Sequence, residues 1–287
     1  MKILIPTDFS KDAKHAIDYI YLSQLANILN AEIKLLHVYT PPVTRNNLSY
    51  PLIQDEIARA VKEAEEQLTI LCSEISDDTG LRCKSLVMTG SVVEEIVKEA
   101  EHGKADMIVM GTKGASGIEK ILFGSNTALV IEKATCPVLA VPKGAAIALP
   151  KRIVFATNYH DSDMNTLKSL TNLVKMLNAE LMILHLSKEK LKSDRDLIEE
   201  FSKAVAKETG FQQPFYYVMT HTDTQKGIDL FVDSSGADLI SLSMRKRGIF
   251  EKLFDSSLTK KMAYQLKIPL LAYHATNSGQ DSENGDF

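Results

Sequence analysis

The chain is predicted to be an α/β protein of two repeated doubly wound domains, each a five-stranded parallel sheet with helices on both faces. Length, a strand-and-helix alternation and an internal repeat carry that expectation. At 287 residues the chain exceeds the typical single domain of about 100–150 residues. Two units of comparable size follow.

The first apolar run, 3–6, has strand length and ends at Thr7-Asp8. Ala13, Ile17, Ile20 and Leu25 then recur at helical spacing. A second strand is predicted over 33–38, followed by Pro41-Pro42 and a long charged helix whose Glu63, Glu65 and Glu66 form a wet face. Further strands are expected at 86–88, 107–110 and 138–141, with Ile96, Val97 and Ala100 marking a helix between the first two. Ser91-Val92-Val93-Glu94 fits a capping box, in which serine and glutamate satisfy free N–H groups at a helix start. Strands alternating with helices pair in parallel through right-handed crossovers. Ligands in such sheets bind outside the carboxyl ends of the strands, where the strand order reverses.

The second half echoes the first. Lys2-Ile3-Leu4-Ile5-Pro6-Thr7-Asp8-Phe9 returns as Arg152-Ile153-Val154-Phe155-Ala156-Thr157-Asn158-Tyr159, at an offset of 150. Leu29-Asn30-Ala31-Glu32 returns as Leu177-Asn178-Ala179-Glu180 at 148, and Ala105-Asp106 returns as Ala237-Asp238 at 132. The falling offset means that the second copy has lost residues, mostly between His37 and Ala105, in the region of the Pro41-Pro42 loop and the long helix. The expected domains are 1–143 and 151–275, joined by the Pro- and Gly-containing stretch 142–150 and followed by a disordered tail, 276–287, rich in Ser, Asn, Gly and acid.

Composition narrows the function. A net charge of -4 argues against nucleic acid as a partner. No run approaches a membrane span, and the apolar start is cut short by Pro6 and Asp8, so neither a membrane nor secretion is expected. Cys72, Cys83 and Cys136 have no C-x-x-C spacing, which points away from a disulfide framework or zinc ribbon and toward a reducing, cytoplasmic setting. Cys136, before Pro137, reads as a packing residue. There is no P-loop, no G-x-G-x-x-G after the first strand and no H-E-x-x-H helix.

One constellation stands apart. Gly111-Thr112-Lys113-Gly114, nine residues, then Gly124-Ser125-Asn126 begins where the strand 107–110 ends. Glycines permit φ above zero and let N–H groups approach an anion without a Cβ in the way. Ser125 and Asn126 should open the next helix, whose positive end and free N–H groups suit phosphates.

This spacing resembles the G-x2-G-x9-G-[S/T] signature of ATP-binding members of the universal stress protein family, and the likeness runs through both halves. The resemblance implies an adenine nucleotide alpha hydrolase-like fold and an adenine nucleotide ligand, ATP, with or without magnesium. By the same resemblance Pro6, Thr7 and Asp8 form the adenosine-contacting turn and Val38 the adenine contact. Met110 and Gly111 border ribose and phosphates, and Gly114, Gly124, Ser125 and Asn126 surround the triphosphate. Asn126 departs from the pattern, where an apolar residue or threonine is usual, although its main-chain N–H still serves. An aspartate after a strand is also a common helix cap; Ser10 can take that role instead, leaving Asp8 for a ligand.

In the second half the glycines become Ser243, Lys246 and Ser256, with Glu119-Lys120 and Glu251-Lys252 holding the register. Pro6 and Asp8 become Ala156 and Asn158, so this copy is expected to be degenerate. The basic run Met244-Arg245-Lys246-Arg247 reads as a solvated loop. His37 and His185 occupy equivalent strand ends, which common ancestry explains better than catalysis.

The leading expectation is therefore a stress-response or signalling protein in which ATP in the first domain alters conformation or partners. A slow ATPase or phosphate- or adenylate-transferring enzyme is the alternative, but the residues offer no assembled metal ligands and no group to position a nucleophile. A nucleotide-free interaction module is the third reading. The resemblance also implies that the last strands of the two domains, 138–141 and 270–273, pair as a pseudo-dimer. A homodimer is left open.

Overall fold

The computed structural model describes residues 1–41, 50–112, 124–160, 162–187, 194–212, 214–244 and 267–274. Gly114, Lys246, Ser256 and the tail 276–287 lie outside them.

Five parallel strands form the first half: β1 (Lys2–Pro6), β2 (Glu32–Tyr39), β3 (Cys83–Thr89), β4 (Met107–Gly111) and β5 (Val138–Val141). Five more form the second: β6 (Arg152–Thr157), β7 (Glu180–Ser187), β8 (Phe215–Thr220), β9 (Leu239–Met244) and β10 (Leu270–His274). The order is β3-β2-β1-β4-β5-β10-β9-β6-β7-β8. Each half is thus parallel and doubly wound, as its alternation of elements predicts. The two halves meet where β5 and β10 run antiparallel, with Leu139 opposite Leu271.

Side chains alternate across the sheet. On one face Ile3, Ile5, Val109, Leu139, Phe155, Leu271 and Tyr273 belong to a buried cluster that runs through both halves. On the other, Leu4, Met110, Val138, Ala140, Leu242 and Ala272 do the same. Period-2 alternation of apolar residues on a sheet covered on both faces produces this division.

Helices supply the outer layers. α1 (Lys11–Leu22) buries Ala13, Ala16, Ile17 and Ile20, and Ser10 caps it by accepting from the Ala13 N–H at 3.2 Å. The predicted helix does not continue through Leu25. Ser23 Oγ turns back to the Tyr19 carbonyl, Gln24 adopts φ 67°, and a separate short helix, α2 (Leu25–Ile28), begins. α3 (Tyr50–Thr79) has 30 residues, whereas its counterpart α7 (Asp194–Thr209) has 16, which locates the shortening of the second copy. α4 (Val92–Gly103) and α5 (Ser125–Lys133) complete the first half, α6 (Asp163–Leu177) and α8 (Thr224–Ser235) the second. Ser91 is the N-cap of α4 in extended geometry, but its side chain makes no capping bond. The residue is exposed, so water can serve that helix start, while Glu94 and Glu95 complement the positive end of the helix.

The connecting stretch is tied down. Ala145 is 4% exposed, and its carbonyl lies 3.1 Å from His15 Nε2, which must donate to it.

Candidate functional site

The order of the first half reverses between β1 and β4, and a cleft of about 280 Å³ opens at their carboxyl ends. Its walls come from segments far apart in sequence. β1 and the turn after it supply Pro6, Thr7 and Asp8; β2 supplies Leu36 and Val38; β4 supplies Met110 and Gly111; the start of α5 supplies Gly124, Ser125, Asn126 and Thr127. All the predicted residues that the structure describes are here. Ala13, Leu36, Val92, Ile96 and Thr127 complete the lining and were not among the ligand contacts expected from the sequence.

Local geometry explains the turn after β1. The Thr7 N–H donates to the Leu36 carbonyl at 2.8 Å, carrying the β1–β2 ladder one residue past the strand. Thr7 Oγ1 accepts from the Phe9 N–H at 3.1 Å, and Asp8 Oδ1 accepts from the Ser10 N–H at 3.1 Å. Phe9 adopts φ 59°, unfavourable for an L-residue with a bulky side chain, and its ring stacks on His37 at 4.8 Å. His37 Nδ1 in turn donates to the Thr7 carbonyl at 2.9 Å. The same device recurs with Tyr159 at φ 56°, stacked on His185 at 4.5 Å, and His185 Nδ1 donating to the Thr157 carbonyl at 2.9 Å. Both histidines therefore brace a turn, and Ser10, not Asp8, caps α1.

The two described glycines of the signature act differently from the spacing argument. Neither has φ in the left-handed region. At Gly111 a Cβ would lie 2.6 Å from the Asp12 carbonyl oxygen, so glycine is needed where β4 meets the backbone of α1. The Gly124 N–H is already bonded to the Thr112 carbonyl, which joins the two flanks of segment 113–123. The N–H groups of Ser125, Asn126 and Thr127 lack intrahelical acceptors because they open α5. Thr127 Oγ1 donates to the Gly111 carbonyl at 2.9 Å and fixes this helix start against β4.

The cleft is chemically two-sided. Leu36, Val38, Val92, Ile96 and Met110 give it an apolar wall; Thr7, Asp8 and the opening N–H groups of α5 give it a polar one. No lysine or arginine stands among the described lining residues, and what these residues offer an anion is the backbone dipoles at the start of α5.

The matching place in the second half is built otherwise. Five of the six residues buried on α6 fall 150 positions after residues buried on α1, so Asp163 corresponds to Ala13 and Thr166 to Ala16. Asp163 is 2% exposed and accepts from Thr157 Oγ1 at 2.6 Å. Thr166 Oγ1 donates to Ser243 Oγ at 3.2 Å, and Ser243 replaces Gly111. Small residues around the first cleft have thus become a buried polar network.

Residues 1–142 match the family model described as Universal stress protein family. A universal stress protein of Methanocaldococcus jannaschii is 36% identical over 153 residues, covering 50% of this chain and 82% of that protein. The chain belongs to the universal stress protein family. A second member from the same organism is 31% identical over 156 residues, covering 50% of this chain and 94% of its own length. The crystal structure of a universal stress protein from Archaeoglobus fulgidus shares the fold across both halves, with a TM-score of 0.75, 22% identity, and 96% of this chain and 98% of that chain covered. Among the described residues of this family member no helix is long and apolar enough to cross a membrane, and no group of three or more His, Cys, Asp or Glu could hold a metal ion.

Proposed function

We propose that this universal stress protein binds one adenine nucleotide, ATP, in the cleft of its first half, and that occupancy alters its conformation or partners in a cytoplasmic stress or signalling response. The observation that carries this reading is convergence: four separate stretches bearing the predicted residues line one cleft at the strand-order switch. Its apolar wall suits a flat base, Asp8 suits ribose hydroxyls as an acceptor, and the start of α5 suits phosphate. Magnesium fits as an ion carried chiefly by the triphosphate, because Asp8 is the single carboxylate among the described lining residues.

One nucleotide per chain is proposed because Asp163 and Ser243 put a buried carboxylate and a hydroxyl where the first cleft has Ala13 and Gly111. A carboxylate there opposes an anionic ligand and fills its space. The domains are proposed to be 1–143 and 151–275, associated as an internal pseudo-dimer through β5 and β10. That pairing occupies edges that would otherwise invite a second chain.

The test is the purified protein's own content. Nucleotide released by denaturation, identified by chromatography and ultraviolet absorbance, should be adenine nucleotide at no more than one per chain. Protein that is nucleotide-free and also fails to bind added ATP would overturn the proposal.

A further inference from the structure

Cys72 and Cys83 are eleven positions apart, a spacing that carries no recognised motif. The fold brings them together. Cys72 lies on α3, and Cys83 is the first residue of β3, the outermost strand of the sheet in this half. Both are free thiols, with their sulfurs 2.6 Å apart. A disulfide bond is about 2.05 Å long, so closing the gap takes a movement of roughly half an ångström.

The surroundings hold this approach in place. Gly80, at φ 70°, turns the chain from α3 back toward β3, and the Leu81 N–H donates to Thr79 Oγ1 at 3.1 Å. Asn27 Nδ2 donates to the Thr79 carbonyl at 3.1 Å, tying this turn to the body of the protein. Leu68 and Ile75 are buried on the same side of α3 as Cys72. Cys83 is half-buried at the sheet edge, where a small molecule can reach it.

We propose that Cys72 and Cys83 are a reversible dithiol–disulfide site, oxidised by small-molecule disulfides of the glutathione class. One thiolate of the pair attacks the small disulfide, breaking its S–S bond, releasing one thiol and leaving a mixed disulfide on the protein. The other cysteine then displaces the second small thiol and forms the Cys72–Cys83 bond. Two electrons pass from the protein to the small disulfide, and the protein's two thiol protons end on the two thiols released.

The thiols are unequal in a way that supports exchange. The hydrogen bond from Cys83 holds the Cys72 thiol below its ordinary value against the opposing effect of burial, and the same bond, then burial, raises Cys83. Cys136 has neither of the other two thiols against it, and burial pushes it up to about 11, so it stays protonated and has no resolving thiol to form a bond with. The bond would tie α3 to the edge strand and restrict the unfolded chain, stabilising the oxidised form.

The test uses the full-length protein equilibrated in glutathione buffers from fully reduced to fully oxidised, quenched in acid, alkylated and weighed. The expected result is loss of two hydrogens, a Cys72–Cys83 cross-linked peptide after digestion, Cys136 alkylated throughout, and reversal by dithiothreitol. The oxidised form should melt several degrees higher. Cys72→Ser should leave Cys83 with a persistent glutathione adduct instead. Three alkylatable thiols in the most oxidising buffer, or a wild-type protein that stops at a single glutathione adduct, would overturn the proposal without reference to any variant.

Discussion

A β-carbon added at Gly111 would meet the Asp12 carbonyl oxygen at 2.6 Å and the Ala13 nitrogen at 3.1 Å, both main-chain atoms with little room to move. Gly111→Ala is therefore expected to destabilise the protein by about 1–3 kcal/mol, read by denaturant unfolding. Motif spacing singled out this glycine for a different physical reason. The signature suggested conformational freedom for anion approach, whereas the constraint is a contact with a residue ninety-nine positions earlier in the chain. Contacts of that kind leave no local trace, and for the same reason Ala13 was read only as a helix residue and Thr127 was not read as part of the cleft. Comparison of the two copies supplies the missing signal, since Ala13 in one is Asp163 in the other. Ala13→Asp should thus abolish ATP binding while leaving a folded protein, because Thr7 stands ready to hold the new carboxylate as Thr157 holds Asp163. Circular dichroism and calorimetry on the same sample would check both halves of that statement; a folded variant with unchanged affinity would refute it.

Two helix starts that look alike in sequence are stabilised differently. Ser10 accepts from the Ala13 N–H, whereas Ser91 makes no such bond although it begins an S-x-x-E motif. Ser10→Ala should cost about 1 kcal/mol and Ser91→Ala less than about 0.5 kcal/mol, measured as shifts of the unfolding midpoint. Motifs name the residues able to cap; whether a side chain turns inward is decided by the packing around it. Strand limits show the same division. β1 after its exposed Lys2 and β5 throughout were legible because they are apolar runs on a doubly covered sheet. β3 was foreseen only over 86–88 but spans Cys83–Thr89, since an edge strand carries residues such as Lys84 and Ser85 that face water. Helix α2 was missed because the break before it rests on a serine hydroxyl turned back on its own helix and a left-handed glutamine.

Taken as one body, the molecule has a continuous ten-stranded sheet, and a single apolar cluster on one face draws residues from both halves. His274 Nε2 donates to the Ile131 carbonyl, adding a bond between β10 and α5. Such an arrangement leaves little freedom between the halves. Solution scattering should fit one compact particle; two separated beads on a flexible connection would contradict the proposed pseudo-dimer. The repeat itself was plain from matched stretches at slowly falling offsets, because strands and their ends resist insertion better than the helices and loops between them.

ATP is proposed to occupy the cleft of the first half alone. Calorimetric titration of nucleotide-free, full-length protein with ATP tests it most directly. The predicted result is a stoichiometry near one, lost in Gly114→Val and unchanged in Lys246→Ala. Two similar sites per chain, or binding that survives Gly114→Val undiminished, would contradict it.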